Sequence, residues 1–419
     1  MQKVVLIGQG YVGLPLAMSA VEAGFDVVGL ELDATRVKRL SVADSYVEDV
    51  PSTRLRKALD TGRYQPTDDY ADAVGFDVCV ITVPTPLHDG VPDLTYVERA
   101  GAAIAPHIRA GCTVILESTT YPGTTEDLLR PILERGSGLC APEEFFLGYS
   151  PERIDPGNPV WRLENTPKVV SGTDEASLER VRAFYDRLVE RTVAVSSTRT
   201  AELTKLFENT FRHINIALVN ELAIVAGRLG VDVREAIDAA ATKPFGFMPF
   251  APGPGVGGHC LPIDPSYLSW QAKRTIGHRF RFIELANDIN EAMPQYVVQR
   301  LALGLNTRGK AVNGSRLLLL GLAYKKNVGD MRESPAAVVA DLLVRLGGVV
   351  RAVEPYAGPA AVTNEGVTLV DLTEAEVAAA DAVVVLADHD SFDYALVEGH
   401  ARYVFDTRNR CRGRNVEAL

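Results

Sequence analysis

A single cysteine lies in the glycine-rich segment GVGGHCLPID, where its sulfur is a candidate nucleophile. The neighbouring glycines let a ligand approach the backbone around Cys260 closely, and His259 favours the thiolate, the form that attacks carbon. Asp264 follows four residues later and is placed to handle protons. A lone cysteine is most often an inert buried side chain, and Asp264 can equally be a turn residue before Pro265, so these alternatives stay open.

A second set of polar side chains falls on a helical segment that begins near residue 199. At about 100° per residue, one sector of this helix holds Lys205, Asn209, Arg212 and His213, roughly opposite a face of leucine and phenylalanine. Periodicity by itself favours a solvated polar face. The i, i+4 spacing of Lys205 and Asn209, however, allows an ammonium and an amide to address the same small group.

The segment GQGYVG places Gly8, Gly10 and Gly13 at the spacing of a dinucleotide-binding turn. The first glycine permits the turn, the second lets the backbone approach a pyrophosphate, and the third lets the helix pack on the strand. Glu31 ends the next strand, where its carboxylate can bind an adenosine ribose and repel a 2′-phosphate, which predicts NAD rather than NADP. The alternative is a glycine-rich turn with a surface glutamate.

Further cofactor contacts are predicted around this turn. Arg36, five residues after Glu31, lies either near the adenine-side phosphate or on a solvated helix face. The other candidates are Tyr11, Val12 and Thr85.

Buried strands and crossover helices must position these residues. Apolar runs that alternate with longer stretches occur at 3–7, 26–30, 77–83, 112–116 and 168–171. Such alternation predicts a parallel, doubly wound sheet. Helical segments follow at 199–229 and about 280–303, separated by the Gly- and Pro-rich segment 243–265, which predicts a functional loop without regular structure.

A second α/β unit begins near residue 314. Its predicted strands are RLLLLGL, VVRAVEP, DAVVVLA and, as the last, YVFDTRN, with a helix at 335–346. We therefore predict the α/β class, with two Rossmann-like doubly wound domains joined by a central helical domain. The predicted boundaries are 1–198, 199–305 and 306–419.

Composition narrows the classes of partner. The formal charge of −11 over 419 residues argues against nucleic-acid binding, because no basic excess is present to neutralise phosphates. No apolar run approaches the ~20 residues of a bilayer span, and MQKVVLIG leads straight into a strand, so we expect a cytoplasmic protein without a membrane partner. Cysteines at 79, 112, 140, 260 and 411 lack paired spacing, which predicts reduced thiols and no structural metal.

Seven motifs in order give the chain a resemblance to the UDP-glucose/GDP-mannose dehydrogenase family along nearly its full length. They are GQGYVGLPLA, ESTTYPGTT, YSPERIDPGNP, AELTKLFENTFRHINIALVNELA, GPGVGGHCLPID, GLAYKKNVGDMRESP and FDTRN. The resemblance implies an NAD-dependent four-electron oxidation of a nucleotide-activated hexose at C6. It also implies that the first domain binds NAD, the second dimerises and carries the cysteine loop, and the third binds the nucleotide sugar.

The resemblance also implies roles for the candidate catalytic residues. Cys260 is the covalent nucleophile, which forms a thiohemiacetal and then a thioester. Lys205, Asn209 and Asp264 stabilise oxyanions, orient water and move protons. Glu152 lies beside the hydrolytic water as the candidate general base.

Positions for binding follow in the same way. Thr119 lies beside the nicotinamide, and Arg332 reaches the cofactor pyrophosphate. Lys325 and Arg408 hold the nucleotide sugar. Phe146 and Leu147 are further candidate substrate contacts, and backbone groups of Gly257 and Gly258 stabilise charge on the substrate oxygen.

Two departures bear on the substrate. A second glutamate of the UDP-glucose branch is Pro156 here, and the arginine that reaches across the dimer falls near Lys243–Pro244. The segments SPERIDPGNP and PFGFMPFAPGPG resemble the UDP-N-acetylglucosamine 6-dehydrogenase branch more closely. We therefore place a UDP-N-acetylhexosamine first and UDP-glucose or dTDP-glucose second.

Two rival functions fit these residues less well. A Rossmann dehydrogenase that performs one oxidation, such as a 3-hydroxyacid enzyme, has no use for a thiol at the substrate carbon. A non-catalytic nucleotide-binding regulator has no use for Lys205, Asn209, Cys260 and Asp264 together. We also expect a homodimer through the central helices, since their apolar surface needs a partner.

Overall fold

The structure is a computed structural model that describes residues 2–88, 90–155, 158, 160–258, 261–358 and 365–419. Cys260, His259 and Pro156 lie outside these described residues. The chain divides into two compact units, Met1–Glu208 and Asn209–Leu419.

The first unit is built on alternating strands and helices. Its strands are β1 (Lys3–Ile7), β2 (Asp26–Leu30), β3 (Tyr64–Thr67), β4 (Val78–Ile81), β5 (Leu87–His88), β6 (Val91–Pro92), β7 (Thr113–Leu116), β8 (Phe146–Tyr149), β9 (Lys168–Gly172) and β10 (Thr192–Ala194). Its helices are α1 (Gly13–Glu22), α2 (Ala34–Ser41), α3 (Ser52–Asp60), α4 (Thr95–Ile104), α5 (Arg130–Ser137) and α6 (Glu175–Tyr185), and α7 (Thr198–Leu229) begins here and continues into the second unit. Short 3-10 turns at Tyr70–Ala73 and Ala105–His107 and a π-helix at Thr124–Leu129 complete it.

The main sheet of this unit has the doubly wound order. Among the described residues it runs β10-β9-β8-β7-β4-β1-β2-β3, and a separate hairpin pairs β5 with β6. All neighbours in the main sheet are parallel except β8 and β9, which run antiparallel. Strands β4 and β7 are buried along their whole length, as expected for a parallel sheet covered on both faces. The predicted doubly wound sheet is confirmed.

The second unit contains a helical stretch followed by a second sheet. Its further helices are α8 (Val233–Ala241), α9 (Ile263–Ile276), α10 (Arg281–Asn306), α11 (Pro335–Arg345), α12 (Glu374–Ala379) and α13 (Tyr394–His400). Its strands are β11 (Arg316–Leu320), β12 (Val349–Val353), β13 (Val367–Leu369), β14 (Ala382–Val385), β15 (Val404–Asp406) and β16 (Val416–Ala418). They form a parallel sheet of order β13-β12-β11-β14-β15-β16 within the described residues.

Helix α10 is fixed to this second sheet by its apolar stripe. Met293, Val297 and Leu301 recur at helical spacing and pack in one buried cluster with Leu317 and Leu319 of β11. Because of this packing, α10 belongs to the same compact unit as the second sheet.

Two predictions of secondary structure are wrong in detail. YVFDTRN does not contain the last strand, because Val416–Ala418 adds β16 beside β15; a three-residue strand that contains Glu417 has no apolar run to predict it. The segment 243–265 is not irregular throughout, since α9 begins at Ile263. Pro265 is tolerated in its first turn, where a missing N–H costs no helical hydrogen bond.

None of the helices in the described part of the chain combines the length and apolar character that a bilayer crossing needs.

Candidate active site

The glycine turn after β1 is shaped to receive a pyrophosphate. Gly8 has φ +93°, and a Cβ there would lie 2.7 Å from the carbonyl oxygen of Thr82. A Cβ on Gly13 would lie 1.8 Å from the carbonyl oxygen of Gly8, so both glycines are required by the fold itself. A Cβ on Gly10 would meet no protein atom within 4 Å. The turn is therefore closed on its protein side and open at Gly10, and it fits a dinucleotide phosphate.

Glu31 lies at the carboxyl end of β2, beside this turn. Its carboxylate accepts a hydrogen bond from the Gln9 amide at 3.3 Å and lies 3.5 Å from Arg36 Nη1. The Arg36 guanidinium stacks over the Tyr46 ring at 5.2 Å, and the Tyr46 hydroxyl donates to the Gln9 carbonyl oxygen. The structure thus brings the predicted residues Glu31 and Arg36 together. It also places Gln9 and Tyr46 beside them, which the sequence analysis did not name. Of these two, only Gln9 could have been found from the sequence, because it lies inside the motif GQGYVG.

The other predicted cofactor residues are spread over this edge of the sheet. Tyr11 is exposed, and Val12 is the half-buried residue before α1. Thr85 is buried four residues after β4. Thr119 is half-buried three residues after β7.

Glu152 follows β8 at the carboxyl edge of the sheet. Its Oε1 accepts hydrogen bonds from the backbone amides of Arg153 and Ile154 at 2.6 and 2.5 Å. Its Oε2 lies 3.3 Å from Lys168 Nζ. The carboxylate therefore has three donors, all of which stabilise its ionised form.

Lys168 connects Glu152 to a second buried carboxylate. The Lys168 ammonium donates to Glu117 Oε1, and the Tyr185 hydroxyl donates to Glu117 Oε2. Neither Glu117, Lys168 nor Tyr185 was identified from the sequence, although Glu117 stands in the motif ESTTYPGTT.

The charges of this cluster set the protonation of its acids. Burial raises the pKa of the Glu117 carboxyl to about 7, although Lys168 opposes the shift. Burial acts in the same direction on Glu152, but the hydrogen bonds and positive charge around it, Lys168 foremost, hold its pKa below the ordinary value.

Phe146 and Leu147 lie away from this edge. They begin β8, where Phe146 is in register with Thr113 at the start of β7, and Leu147 is fully buried in the sheet. The structure does not bring them to the carboxyl edge that carries Glu152, so their placement does not support the predicted substrate contact.

Three of the four residues of the polar stripe of α7 are buried, whereas most large side chains of its apolar face are exposed. Lys205 is 8% exposed, and its Nζ donates to the carbonyl oxygen of Glu152 at 2.6 Å. Asn209 and His213 are buried too, whereas Arg212 is exposed. The solvated face that periodicity favoured is therefore wrong for Lys205, Asn209 and His213.

In the second unit, Asn209 is held by the predicted acid. Its Nδ2 donates to Asp264 Oδ2 at 2.5 Å, and both side chains are buried. His213 Nε2 lies 2.8 Å from Asn287 Oδ1, and burial lowers the pKa of His213. The buried amide of α7 and its carboxylate partner in the first turn of α9 form an oriented polar pair.

The loop that leads to Cys260 is held by close backbone packing. A Cβ on Gly257 would lie 2.4 Å from the Glu333 carbonyl oxygen, and a Cβ on Gly258 would lie 2.6 Å from the Tyr324 ring. Gly258 has φ +85°, and its amide donates to the carbonyl oxygen of Arg332 at 3.3 Å. Only glycines fit these positions, which fixes the backbone that leads to Cys260 as far as Gly258.

An amide network, missed in the sequence analysis, orients the start of this loop. Asn220 Oδ1 accepts from the Gly253 amide, and Asn220 Nδ2 donates to Asn290 Oδ1, both at 2.9 Å. Asn220 lies on α7 eleven residues after Asn209, about three turns, so continuing the polar stripe would have found it.

The basic residues predicted to hold the nucleotide sugar or to reach the cofactor pyrophosphate differ in burial and in their partners. Arg408 Nε donates to the Leu386 carbonyl oxygen at 2.7 Å, and its guanidinium packs so closely on Gly253 that a Cβ there would lie 2.7 Å from Nη1. Burial lowers the pKa of Arg408. Lys325 is half-buried, whereas Arg332 is exposed and pairs with Asp330 at 2.6 Å.

Three domains of one protein family match successive parts of the chain. Residues 2–189 match the NAD binding domain of the UDP-glucose/GDP-mannose dehydrogenase family, 199–292 its central domain and 318–413 its UDP binding domain. These matches also assign NAD as the cofactor of an oxidoreductase.

Relatives extend the match to complete proteins. The chain is 36% identical to the UDP-N-acetyl-D-mannosamine dehydrogenase of Pyrococcus horikoshii, over 93% of this chain and 90% of that protein. It is 37% identical to the UDP-N-acetyl-D-glucosamine 6-dehydrogenase of Pseudomonas aeruginosa, over 93% and 91%. The solved structure of UDP-D-ManNAc dehydrogenase from Pyrococcus horikoshii covers 100% of this chain and 99% of its own, with a TM-score of 0.90 and 33% identity. The chain therefore belongs to the UDP-glucose/GDP-mannose dehydrogenase family.

Proposed function

We propose that this protein oxidises the C6 hydroxymethyl group of a UDP-N-acetylhexosamine to a carboxylate in two successive NAD-dependent steps. The observation that carries the proposal is the buried polar stripe of α7, where Lys205 and the Asn209–Asp264 pair are withdrawn from solvent. Each group is held by a protein partner, so the ammonium and the amide are oriented before a ligand binds. The names of the two relatives support an N-acetylated UDP sugar as that ligand.

The chemistry requires a nucleophile between the two oxidations. The first oxidation gives an aldehyde, to whose carbon the Cys260 sulfur adds as a thiohemiacetal. The second gives a thioester, and water then displaces the thiolate. Glu152 takes the proton of that water, and Lys205 and Asn209 stabilise the negative charge on oxygen, at roughly 3–4 kcal/mol for each well-placed donor.

The cofactor site fits the proposed reaction. The open position at Gly10 and the carboxylate of Glu31 would hold the pyrophosphate and the adenosine ribose of NAD. NAD, when bound, accepts a hydride in each oxidation.

The two rival functions receive less support. A single-oxidation dehydrogenase needs no cysteine loop, whereas here Gly257 and Gly258 fix the backbone directly before Cys260. A non-catalytic regulator would need neither the buried Lys205 nor a buried general base.

A turnover screen tests the substrate. We expect UDP-N-acetylglucosamine or UDP-N-acetylmannosamine to yield two NADH per sugar, measured by absorbance, with higher kcat/KM than UDP-glucose or dTDP-glucose. The same panel with NADP controls for cofactor choice. A kcat/KM for UDP-glucose more than ten times that for both N-acetylhexosamines would reverse the order, and one NADH per sugar would favour the single-oxidation rival.

We further propose a homodimer through α7. This helix leaves a row of large apolar side chains exposed along its length, namely Leu203, Phe207, Phe211, Leu218, Leu222, Val225 and Leu229. Contiguous apolar surface of this kind marks an interaction site in soluble proteins, and a two-fold contact would cover the same face on both copies.

Negative charge introduced on this face of α7 should dissociate the proposed dimer. In the double variant Leu218→Glu/Leu222→Glu we expect a monomeric mass by light scattering at micromolar concentration, where the native protein has the mass of a dimer. Val74→Glu, which changes an isolated exposed apolar residue, is the control and should stay dimeric. A monomeric native protein would contradict the proposal.

A further inference from the structure

A buried cluster of three charged groups lies at the carboxyl edge of the first sheet, and the proposed chemistry uses only one of them. The side chains of Glu117, Lys168 and Glu152 are 0%, 3% and 11% exposed. Two carboxylates and one ammonium at this depth are expensive unless the arrangement has a use.

The antiparallel strand explains how the cluster forms. Glu117 and Glu152 follow β7 and β8, whose carboxyl ends meet at one edge. Strand β9 runs antiparallel to β8, so its first residue, Lys168, returns to that same edge instead of the opposite one. The sheet thereby inserts one cation between two acids.

The other charged and titratable groups around the acids have their own partners. Tyr185, on α6, donates to Glu117. Lys205, on α7, donates to the carbonyl oxygen of Glu152 rather than to its carboxylate. Arg153 pairs with Glu208 at 2.7 Å. Lys168 is thus the side-chain cation in contact with both carboxylates among the described residues.

We propose that Lys168, shared between Glu117 and Glu152, is a positioning residue for thioester hydrolysis, and that the proton on Glu117 controls how strongly Lys168 holds Glu152. The proposal rests on the proposed function, in which Glu152 takes a proton from water. Neither Lys168 nor Glu117 touches the substrate in it.

The direction of the effect follows from the charges. While Glu117 is protonated, Lys168 serves Glu152 alone, and the Glu152 carboxylate is ionised but weakly basic. When Glu117 loses its proton, a second anion competes for Lys168 and makes Glu152 more basic. Because burial raises the pKa of Glu117 to about 7, this change crosses neutrality, and hydrolysis should accelerate as the pH rises through it.

A purely structural ion pair predicts something else. If Glu117 and Lys168 only joined β7 to β9, their loss would lower the free energy of unfolding and change all steps alike. It would not selectively remove a pH-dependent step of hydrolysis.

The test measures decay of the acyl-enzyme between pH 5.5 and 9 by rapid quench and intact mass, with whichever N-acetylhexosamine is turned over. In Glu117→Gln the rise near neutrality should vanish, with decay about three- to tenfold slower than native above pH 8. In Lys168→Met decay near pH 6.5 should slow by about 100-fold, and Lys168→Arg, which keeps the cation in a different shape, should restore part of it. In both variants decay should slow more than formation of the first NADH does, by about three- to tenfold in Glu117→Gln above pH 8 and by at least about tenfold in Lys168→Met near pH 6.5.

Two further variants separate the possible failures. The double variant Glu117→Gln/Lys168→Met removes one charge of each sign, so it protects the fold where Lys168→Met leaves two buried acids unpaired; like Lys168→Met, it should decay slowly near pH 6.5, because Glu152 has lost its ammonium partner. Glu152→Gln is the reference. If Glu152→Gln accumulates acyl-enzyme while Glu117→Gln and the double variant keep the native pH profile, the inference is overturned and the proposed function stands. If Glu152→Gln decays like the native protein, the proposed base itself is wrong.

Discussion

Cys260→Ala is expected to eliminate production of the second NADH and to form no covalent adduct with the sugar. An aldehyde has no hydride to give until a nucleophile has added to its carbon. A thiolate adds readily, keeps the intermediate in place and later leaves to water. Without it, Lys205 and the bound cofactor still permit slow oxidation to the aldehyde, so we expect at most one NADH per sugar, and the overall rate should fall by several orders of magnitude.

Cys260→Ser separates nucleophilicity from leaving ability. The hydroxyl is a weaker nucleophile and the alkoxide a poorer leaving group than the thiolate, so overall turnover should again fall by several orders of magnitude. Any ester that forms should persist long enough to appear as a mass increase on the intact protein. This outcome would identify residue 260 as the site of attachment.

A second thiol provides the control for both substitutions. Cys140 is a free, exposed cysteine in the first unit, and Cys140→Ala should retain native stoichiometry and rate. If Cys260→Ala itself kept near-native production of two NADH per sugar, covalent capture would be disproved. Oxidation of a hydrated aldehyde would then be the better mechanism.

Patterns that act over a few residues were predictable from the sequence. The strand, glycine turn and acid of the first nucleotide fold are local, and Gly8, Gly13 and Glu31 occupy the predicted places. The antiparallel return of β9 is not local, because no residue in KVVS encodes the direction of its partner strand. The buried Lys168 and its contacts with Glu117 could therefore not be predicted.

Periodicity also could not predict which face of α7 is buried. An amphipathic helix has two faces, and periodicity shows their separation but not which of them the rest of the chain covers. Here most large side chains of the predicted apolar face are exposed, although Leu206 is fully buried, and Lys205 and Asn209 are buried. The proposed contact between copies would cover the exposed apolar side chains of this helix.

The two Rossmann-like sheets share the order of their central strands, but they differ in the surroundings of the acid that follows the second strand of each. Glu354 follows β12 as Glu31 follows β2, and both carboxylates accept hydrogen bonds from backbone amides of their own chain. The Glu354 side chain, however, is fully buried and lies 3.2 Å from His389 Nε2, whereas Glu31 is 11% exposed, so Glu31 is the acid that fits the predicted contact with a ribose.

Lys205→Met should produce the largest loss of activity among the described residues. The ammonium is 8% exposed and bound to the Glu152 carbonyl oxygen at 2.6 Å, so its position is fixed before substrate binds. A fixed cation in a site with little water stabilises the oxyanion of each step without reorganisation. Its removal should lower kcat for NADH formation by roughly 10²–10³-fold, with a smaller change in KM.

The comparison that decides the role of Lys205 keeps its charge and changes its shape. Lys205→Arg retains a cation, but the planar guanidinium cannot occupy the position of a compact ammonium in a buried site, so only part of the rate should return. Arg228→Met, at an exposed basic residue of the same helix, controls for loss of charge from α7 and should alter kcat by less than about twofold. If Lys205→Met changed KM alone, Lys205 would bind substrate and transition state equally, and the stabilisation of developing negative charge would have to come from Asn209 and the loop amides instead.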